Sequence, residues 1–333
     1  MTAAISGEKV FVTGADGFIG SHLVELLVRS GAKVRALVLY NSWSSLGWLA
    51  DVPAEIRAEL EIVPGDIRDA ERVEASARDC AYVFHLASLI AIPYSYVAPR
   101  SYVDTNVTGA LNVLEACRSA KALRRLVHVS TSEVYGTAQI VPIPESHPLV
   151  GQSPYSASKI GADKMAESYH LSFGLPLVVA RPFNTFGPRQ TMRAVIPTIA
   201  GQLLAGVERL KLGAVSPTRD FNYVTDTAAG MLALALCDSA IGQTVNIGTG
   251  LEYTIGETAE KLMAICGHQA PIDTDEQRLR PAGSEVNRLC ADTSRIRAMT
   301  DWAPQVPFED GLARTVAWLR ATGQANAATG YTI

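Results

Sequence analysis

The 333-residue chain is short of several things, and each shortage removes a class of function. Its five cysteines stand at 80, 117, 237, 266 and 290 with no C-x-x-C pair. Neither a disulfide framework nor a zinc knuckle is expected, and buried thiols in the reducing cytoplasm are. The histidines form no H-x-H or H-E-x-x-H set, so no metal site is predicted. Positive charge is not in excess: 29 Lys+Arg stand against 33 Asp+Glu, a net charge of -4. That argues against nucleic acid or an anionic membrane as partner. MLALALC at 231–237 falls far short of the ~20 apolar residues a membrane-spanning helix needs. The opening MTAAISGEKV has no basic segment followed by an apolar stretch, so no signal peptide is read. What the chain does have is 48% hydrophobic residues and only 19% charged ones, ample material for a buried core.

The first half alternates apolar, β-branched runs with helical patterns. KVFVT (9–13), VRALVL (34–39), EIVPGD (61–66), AYVFHLA (81–87), RLVHVS (125–130) and LPLVVARPF (175–183) read as strands. Residues 18–29 set Ile19, Leu23, Leu26 and Leu27 on one helical face, and 101–119 and 155–173 are amphipathic. Parallel strands need a helical crossover between them, so this order predicts an α/β, doubly wound parallel sheet. After about residue 185 the rhythm degrades, and single strands such as QTVNIGT (243–249) are expected without regular helices between them. A dinucleotide-binding domain is expected over 1–185, with segments near 222–248 and 288–300 returning to it. A smaller α/β substrate lobe is expected over 186–320, and a loose tail over 321–333.

The first strand runs into Gly14-Ala-Asp16-Gly17-Phe18-Ile19-Gly20 and then a helix. One glycine allows a tight turn, another close approach of N–H groups to a pyrophosphate, and the third close helix–strand packing. The helix N-terminus adds partial positive charge. The spacing is G-x-x-G-x-x-G, and its place after the first strand makes it a cofactor cradle. The second strand ends Leu39-Tyr40-Asn41-Ser42, with neither acid nor arginine at its tip. Lack of an arginine argues against a 2′-phosphate, so NAD is expected, with Asn41 among its contacts. Asp66 and Ile67, after the third strand, are expected to hold the adenine; Asp66 would equally serve as a helix cap.

Tyr155-Ser-Ala-Ser-Lys159 places a phenol and an ammonium one helical turn apart. Thr131-Ser132-Glu133 follows the fifth strand, at the sheet rim where ligands bind in open α/β folds. A phenol is a poor base at neutral pH, and a neighbouring ammonium favours its ionised form.

GADGFIG, YSASK, the strand-end residues His85-Leu86-Ala87 and Asn106 resemble the extended short-chain dehydrogenase/reductase family over nearly the whole chain. TSEVYG is similar to nucleotide-sugar 4,6-dehydratases and UDP-glucuronate decarboxylases. VLYNSWSSLGWL (38–49), IAIPYSYVAPRSYVDTN (90–106), SPTRDFNYV (216–224) and DEQRLRPAGSEV (275–286) most resemble the UDP-N-acetylglucosamine 4,6-dehydratases of legionaminic-acid biosynthesis. The resemblance implies a Rossmann-type domain, NAD held by Gly14 to Gly20, Leu86, Ala87, Asn106, Tyr155 and Lys159, and a homodimer through helices 101–119 and 155–173. It implies that Tyr155 deprotonates the C4 hydroxyl of a UDP (or GDP) sugar while hydride leaves C4. Glu133 then removes the C5 hydrogen, water leaves C6, and the hydride returns there. Thr131 would bond the C4 oxygen. Some dehydratases have Asp where this chain has Ser132, a far weaker acid, so Glu133 is expected to protonate O6 while Ser132 orients it. Pro93 and Tyr94 are expected to line the sugar pocket, and Asn184, Arg189, Arg219 and Arg280 to grip the diphosphate. A decarboxylase, a 5,6-dehydratase or an epimerase on a related nucleotide sugar are the alternative readings. A non-catalytic dinucleotide-binding sensor or scaffold is a further one, and it gives no reason to keep Tyr155, Lys159 and Glu133 together.

Overall fold

The computed structural model describes residues 4–324. Six strands form in the order the apolar runs suggest: β1 (Lys9–Thr13), β2 (Lys33–Leu39), β3 (Glu61–Gly65), β4 (Tyr82–His85), β5 (Arg125–Val129) and β6 (Leu177–Pro182). With Thr244–Ile247 they make one seven-stranded sheet, ordered 244–247, β6, β5, β4, β1, β2, β3, every pairing parallel. Strand order reverses between β1 and β4. The carboxyl ends at that switch point open a crevice, and there the glycine turn meets the Leu86-Ala87 segment.

The helices are α1 (Phe18–Arg29), α2 (Ala54–Ala58), α3 (Ala70–Ala77), α4 (Ile92–Val97), α5 (Pro99–Tyr102), α6 (Gly109–Ser119) and α7 (Pro154–Phe173). After them come α8 (Val195–Leu204), α9 (Val224–Leu236), α10 (Ile255–Cys266), α11 (Ser294–Met299) and α12 (Phe308–Thr322). Hydrophobic residues of α1 and α9 cover one sheet face, and those of α3, α6 and α7 the other. A separate core gathers α8, α10 and α12 around Phe186, Phe221 and Phe308.

Two sequence expectations need correcting. The chain after 185 does hold regular helices. In α8 eight of ten residues are buried, and α9 is apolar on nearly every face, so neither carries the one-sided pattern that marks a surface helix. The stretch 101–119 is also not one regular helix: α5 passes through a π-helical segment, Val103–Thr108, before α6 begins. Of the tail expected over 321–333, Ala321 and Thr322 finish α12, and 325–333 lie outside the described residues. No described helix is long and apolar enough to cross a membrane.

Candidate active site

The glycine turn is built by crowding. Gly14 has φ +66°, and a Cβ there would lie 2.8 Å from the Ala87 amide nitrogen. At Gly20 a Cβ would stand 2.0 Å from the Gly14 carbonyl oxygen, which permits only glycine where α1 crosses the turn. Gly17 caps α1 without a side-chain hydrogen bond, so the first N–H groups of that helix are left for a ligand. Thr13 closes the cradle: its hydroxyl accepts from the Ala87 amide at 3.1 Å and contacts His85 Nδ1 at 2.9 Å. Phe18 packs edge-on against His22, and Ile19 joins the core on the other side. A glycine-lined helix N-terminus facing the crevice fits a dinucleotide pyrophosphate.

The other cofactor candidates divide. The Asn106 amide accepts from Leu89 N (2.8 Å) and donates to Leu89 O (3.0 Å) and Ser158 Oγ (2.9 Å). It therefore ties the loop after β4 to α7, and the π turn is what aims it there. Asn41 spends its amide inside its own loop, accepting from Trp43 N and Ser45 N and donating to Leu39 O and Ser45 O. Asp66 clasps the Arg68 guanidinium, and the cap of α3 is Asp69, which accepts from Arg72 N at 3.1 Å. Ile67 is buried beneath Gly109.

The sequence starts α7 with a Ser153/Ser156 capping box and Pro154 at its first position. That places Tyr155 in the first turn, at the rim of the sheet, with Lys159 one turn deeper. Thr131-Ser132-Glu133 leaves β5 and enters a short 3-10 turn, Ser132–Tyr135, whose cap is the Thr131 hydroxyl accepting from Glu133 N at 3.2 Å. Thr131 also lies near enough to the Tyr155 phenol to favour its ionised form. Burial pushes that phenol well above the ordinary tyrosine value, Thr131 pulls it back, and the Glu133 charge raises it further. Ser132 is buried beside them.

Lys159 does not reach the phenol directly, as the one-turn spacing suggests. Its ammonium donates to the Val129 carbonyl at 2.7 Å, and burial lowers it to about 8, opposed by Asp163. Asp163, another turn along, is wholly buried. It accepts from Ser130 Oγ at 2.7 Å and from Arg181 at 2.9 and 3.2 Å. His128 Nε2 lies 3.3 Å from its second oxygen. Sequence reasoning missed this buried set; the signal available was Asp163 at i+8 from Tyr155, on the same helical face.

The four candidate anion contacts do not stay together. Arg219 is 6% exposed, and its guanidinium lies 3.5 Å from Glu285. Arg280 stands 3.7 Å from Glu133 and 3.9 Å from Glu285. Asn184, after β6, keeps a buried side-chain oxygen with no hydrogen-bond partner, a group oriented for a ligand. Arg189 departs: with φ +69° it turns back to α1, pairing with Glu25 and donating to Ser21 Oγ at 3.1 Å. It belongs to the packing of α1, not to the anion set. Pro93 and Tyr94 lie in α4. Tyr94 meets Tyr102 at 6.2 Å between ring centres, and Tyr102 meets Tyr155 edge-on at the same separation, so α4 reaches the tyrosine through Tyr102. Glu285, which contacts Arg219 and Arg280, and Tyr102, which contacts Tyr155, are neighbours of the candidate residues that the sequence reading omitted. Among the described residues no group of three or more His, Cys, Asp or Glu could hold a metal ion.

The family profile described as GDP-mannose 4,6 dehydratase matches residues 11–315. A dTDP-glucose 4,6-dehydratase of Actinoplanes sp. is 36% identical over 324 residues, covering 94% of this chain and 98% of that protein. Among solved structures, the epimerase Mth375 of Methanothermobacter thermautotrophicus superposes with a TM-score of 0.88 at 30% identity, covering 98% of this chain and 96% of that one. DesIV, a dTDP-glucose 4,6-dehydratase from Streptomyces venezuelae solved with NAD bound, gives 0.85 at 33% identity, with 95% and 98% covered.

Proposed function

The chain belongs to the extended short-chain dehydrogenase/reductase family of NAD-dependent nucleotide-sugar epimerases and 4,6-dehydratases, and from that premise we propose that it is an NAD-dependent nucleotide-sugar 4,6-dehydratase acting on UDP-N-acetylglucosamine. The observation that carries the reaction is Glu133, whose backbone amide bonds the Thr131 hydroxyl and whose carboxylate is close enough to Tyr155 for its charge to be felt by the phenol. A C4 epimerase has no use for a base at C5; an elimination does.

The turn Gly14 to Gly20 would hold NAD, which would supply an acceptor for the C4 hydride and its source for C6. The protein's own groups do the rest. Tyr155, as phenolate, takes the C4 hydroxyl proton, and the Thr131 hydroxyl bonds the same oxygen. Burial makes Tyr155 a reluctant acid and the Thr131 contact offsets part of that; the ammonium of Lys159, one turn deeper on α7, is the cation we assign to favouring the ionised form. Once C4 is a ketone the C5 hydrogen is acidic. Glu133 takes that proton and gives it to O6, which Ser132 orients, and the C6–O bond breaks with loss of water. Once hydride is returned to C6, C5 takes back one proton, equal to the one Tyr155 drew from the C4 hydroxyl, so the protein ends as it began. Arg219 and Arg280 hold the diphosphate, with Asn184 beside them. The substrate lobe is mainly 186–320, with segments near 222–248 and 288–300 returning to the cofactor domain of 1–185, among them α9 and the strand Thr244–Ile247. Helices α6 and α7 pair two copies into a dimer, which light scattering at micromolar concentration tests; a monomer there refutes the pairing.

The UDP-N-acetylglucosamine assignment is supported by the stretches at 38–49, 90–106, 216–224 and 275–286. The test is mass spectrometry of the enzyme incubated in turn with UDP-N-acetylglucosamine, dTDP-glucose, a GDP-hexose and UDP-glucuronate. Loss of one water from the first alone is the expected result. Water lost only from dTDP-glucose refutes the substrate, and loss of carbon dioxide from the uronate refutes the reaction. In Glu133→Gln the absorbance of reduced nicotinamide should appear on adding substrate and persist, because oxidation proceeds and elimination does not.

A further inference from the structure

We propose that Asp16 reads the 2′-hydroxyl of the adenosine ribose and thereby excludes a 2′-phosphate, an inference that rests on the NAD reading above. In a dinucleotide-binding sheet the pyrophosphate sits at the N-terminus of α1 and the adenosine ribose near the tip of β2. An acid about 20 residues beyond the glycine turn commonly takes its hydroxyls there. This chain has no such acid: β2 ends at Leu39, and residues 40–46 are Tyr, Asn, Ser, Trp, Ser, Ser and Leu.

The structure supplies a carboxylate at that place from the glycine turn itself. Asp16 Oδ2 accepts a hydrogen bond from Leu39 N, the last residue of β2, at 3.1 Å. The loop after β2 folds back to hold it. Trp48 N donates to the Asp16 carbonyl at 2.9 Å, and Gly47, at φ +53°, brings its backbone so near that a Cβ would stand 2.6 Å from that oxygen. Asn41, the polar side chain at the tip, is spent on the loop. A carboxylate offers about four acceptor sites, so one bond to Leu39 N leaves room for ribose hydroxyls.

The neighbouring arginines are engaged with other groups: Arg68 with Asp66, Arg72 with the Pro64 carbonyl and Arg57 with the Ala50 carbonyl. A hydroxyl donates to the Asp16 carboxylate. A phosphate monoester there, carrying roughly −1.5 to −2 at pH 7, is repelled by it.

The experiment offers the protein equimolar NADH and NADPH, removes free nucleotide by gel filtration, and measures the bound ratio by chromatography. Wild type should hold NADH in large excess. Asp16→Asn keeps an oxygen acceptor for Leu39 N and loses only the charge, so the ratio should move towards NADPH by about tenfold, the change that 1.4 kcal/mol makes in an equilibrium constant. A merely structural role weakens both nucleotides and leaves the ratio alone, and an unmoved ratio overturns the proposal. A second arm needs no variant: wild type should bind 2′-deoxy-NADH about tenfold more weakly than NADH, and equal affinity overturns the proposal as well. Wild type that binds neither NADH nor NADPH would instead refute the NAD reading beneath it.

Discussion

Lys159 should make the protein less stable at neutral pH than it is in mild alkali, and the amount follows from its surroundings. The side chain is 3% exposed, and burial brings its ammonium from the ordinary 10.5 to about 8. Below pH 8 the folded and unfolded chains both carry the proton, so the folded state bears the whole cost of a buried charge. Between about 8 and 10.5 the folded chain has released the proton while the unfolded chain still holds it, so stability rises with pH. The full span corresponds to ~3 kcal/mol at 1.36 kcal/mol for each tenfold change in acidity, and ~2 kcal/mol of it falls between pH 7 and 9.5. Lys159→Met keeps the chain length and has no proton to lose. Urea unfolding of both proteins at several pH values across that range isolates the effect, because every other titrating group is common to the two. The difference should move in favour of wild type by ~2 kcal/mol as pH rises. Its absolute value at pH 7 also contains the lost bond to the Val129 carbonyl, so the slope is the quantity to read. A difference that stays flat with pH would show that the lysine is not a buried cation.

Three further outcomes are expected. Turnover should fall as pH rises through about 8, as Lys159 loses its proton, in a steady-state pH profile of kcat. Ser132→Ala should keep C4 oxidation and slow elimination only partly; loss of elimination as complete as in Glu133→Gln would refute the division of labour between the two. Gly20→Ala drives a methyl into the Gly14 carbonyl, so it should lower stability by ~1–3 kcal/mol in urea unfolding and abolish nucleotide binding in the equimolar competition.

Much of the fold was legible because its strands are short apolar runs separated by helices, and a parallel sheet leaves little else for such a pattern to be. Two of the helices after residue 185 were hidden for a physical reason. Helices α8 and α9 are buried at eight of ten and ten of thirteen residues, so little solvent-facing surface marks their period, whereas α10 and α12 bury one side only and carry a pattern the reading passed over. At the site, Tyr155, Lys159 and the Thr131–Glu133 triplet announce themselves by spacing along one element. What spacing cannot report is where a long side chain points once distant segments close on it. Lys159 turns to a strand carbonyl instead of the phenol, Arg189 returns to α1, and Asn41 folds into its own loop. The place of Asp16 at the end of β2 joins residues 23 positions apart and depends on the loop through Gly47 and Trp48, a tertiary fact that no local pattern carries.

The attachment of Arg189 limits how freely parts of this protein can be exchanged with those of its relatives. Its guanidinium is clasped by Glu25 and Ser21, while His22 contacts the Pro188 carbonyl at 3.0 Å, so one side of α1 is cut to fit a segment more than 160 residues away. A transplanted phosphate-binding hairpin would match its new host only if it brought those three side chains along. The two halves of the molecule are therefore mated parts, and a hybrid assembled at the obvious seam would inherit a loosened joint behind an intact cradle.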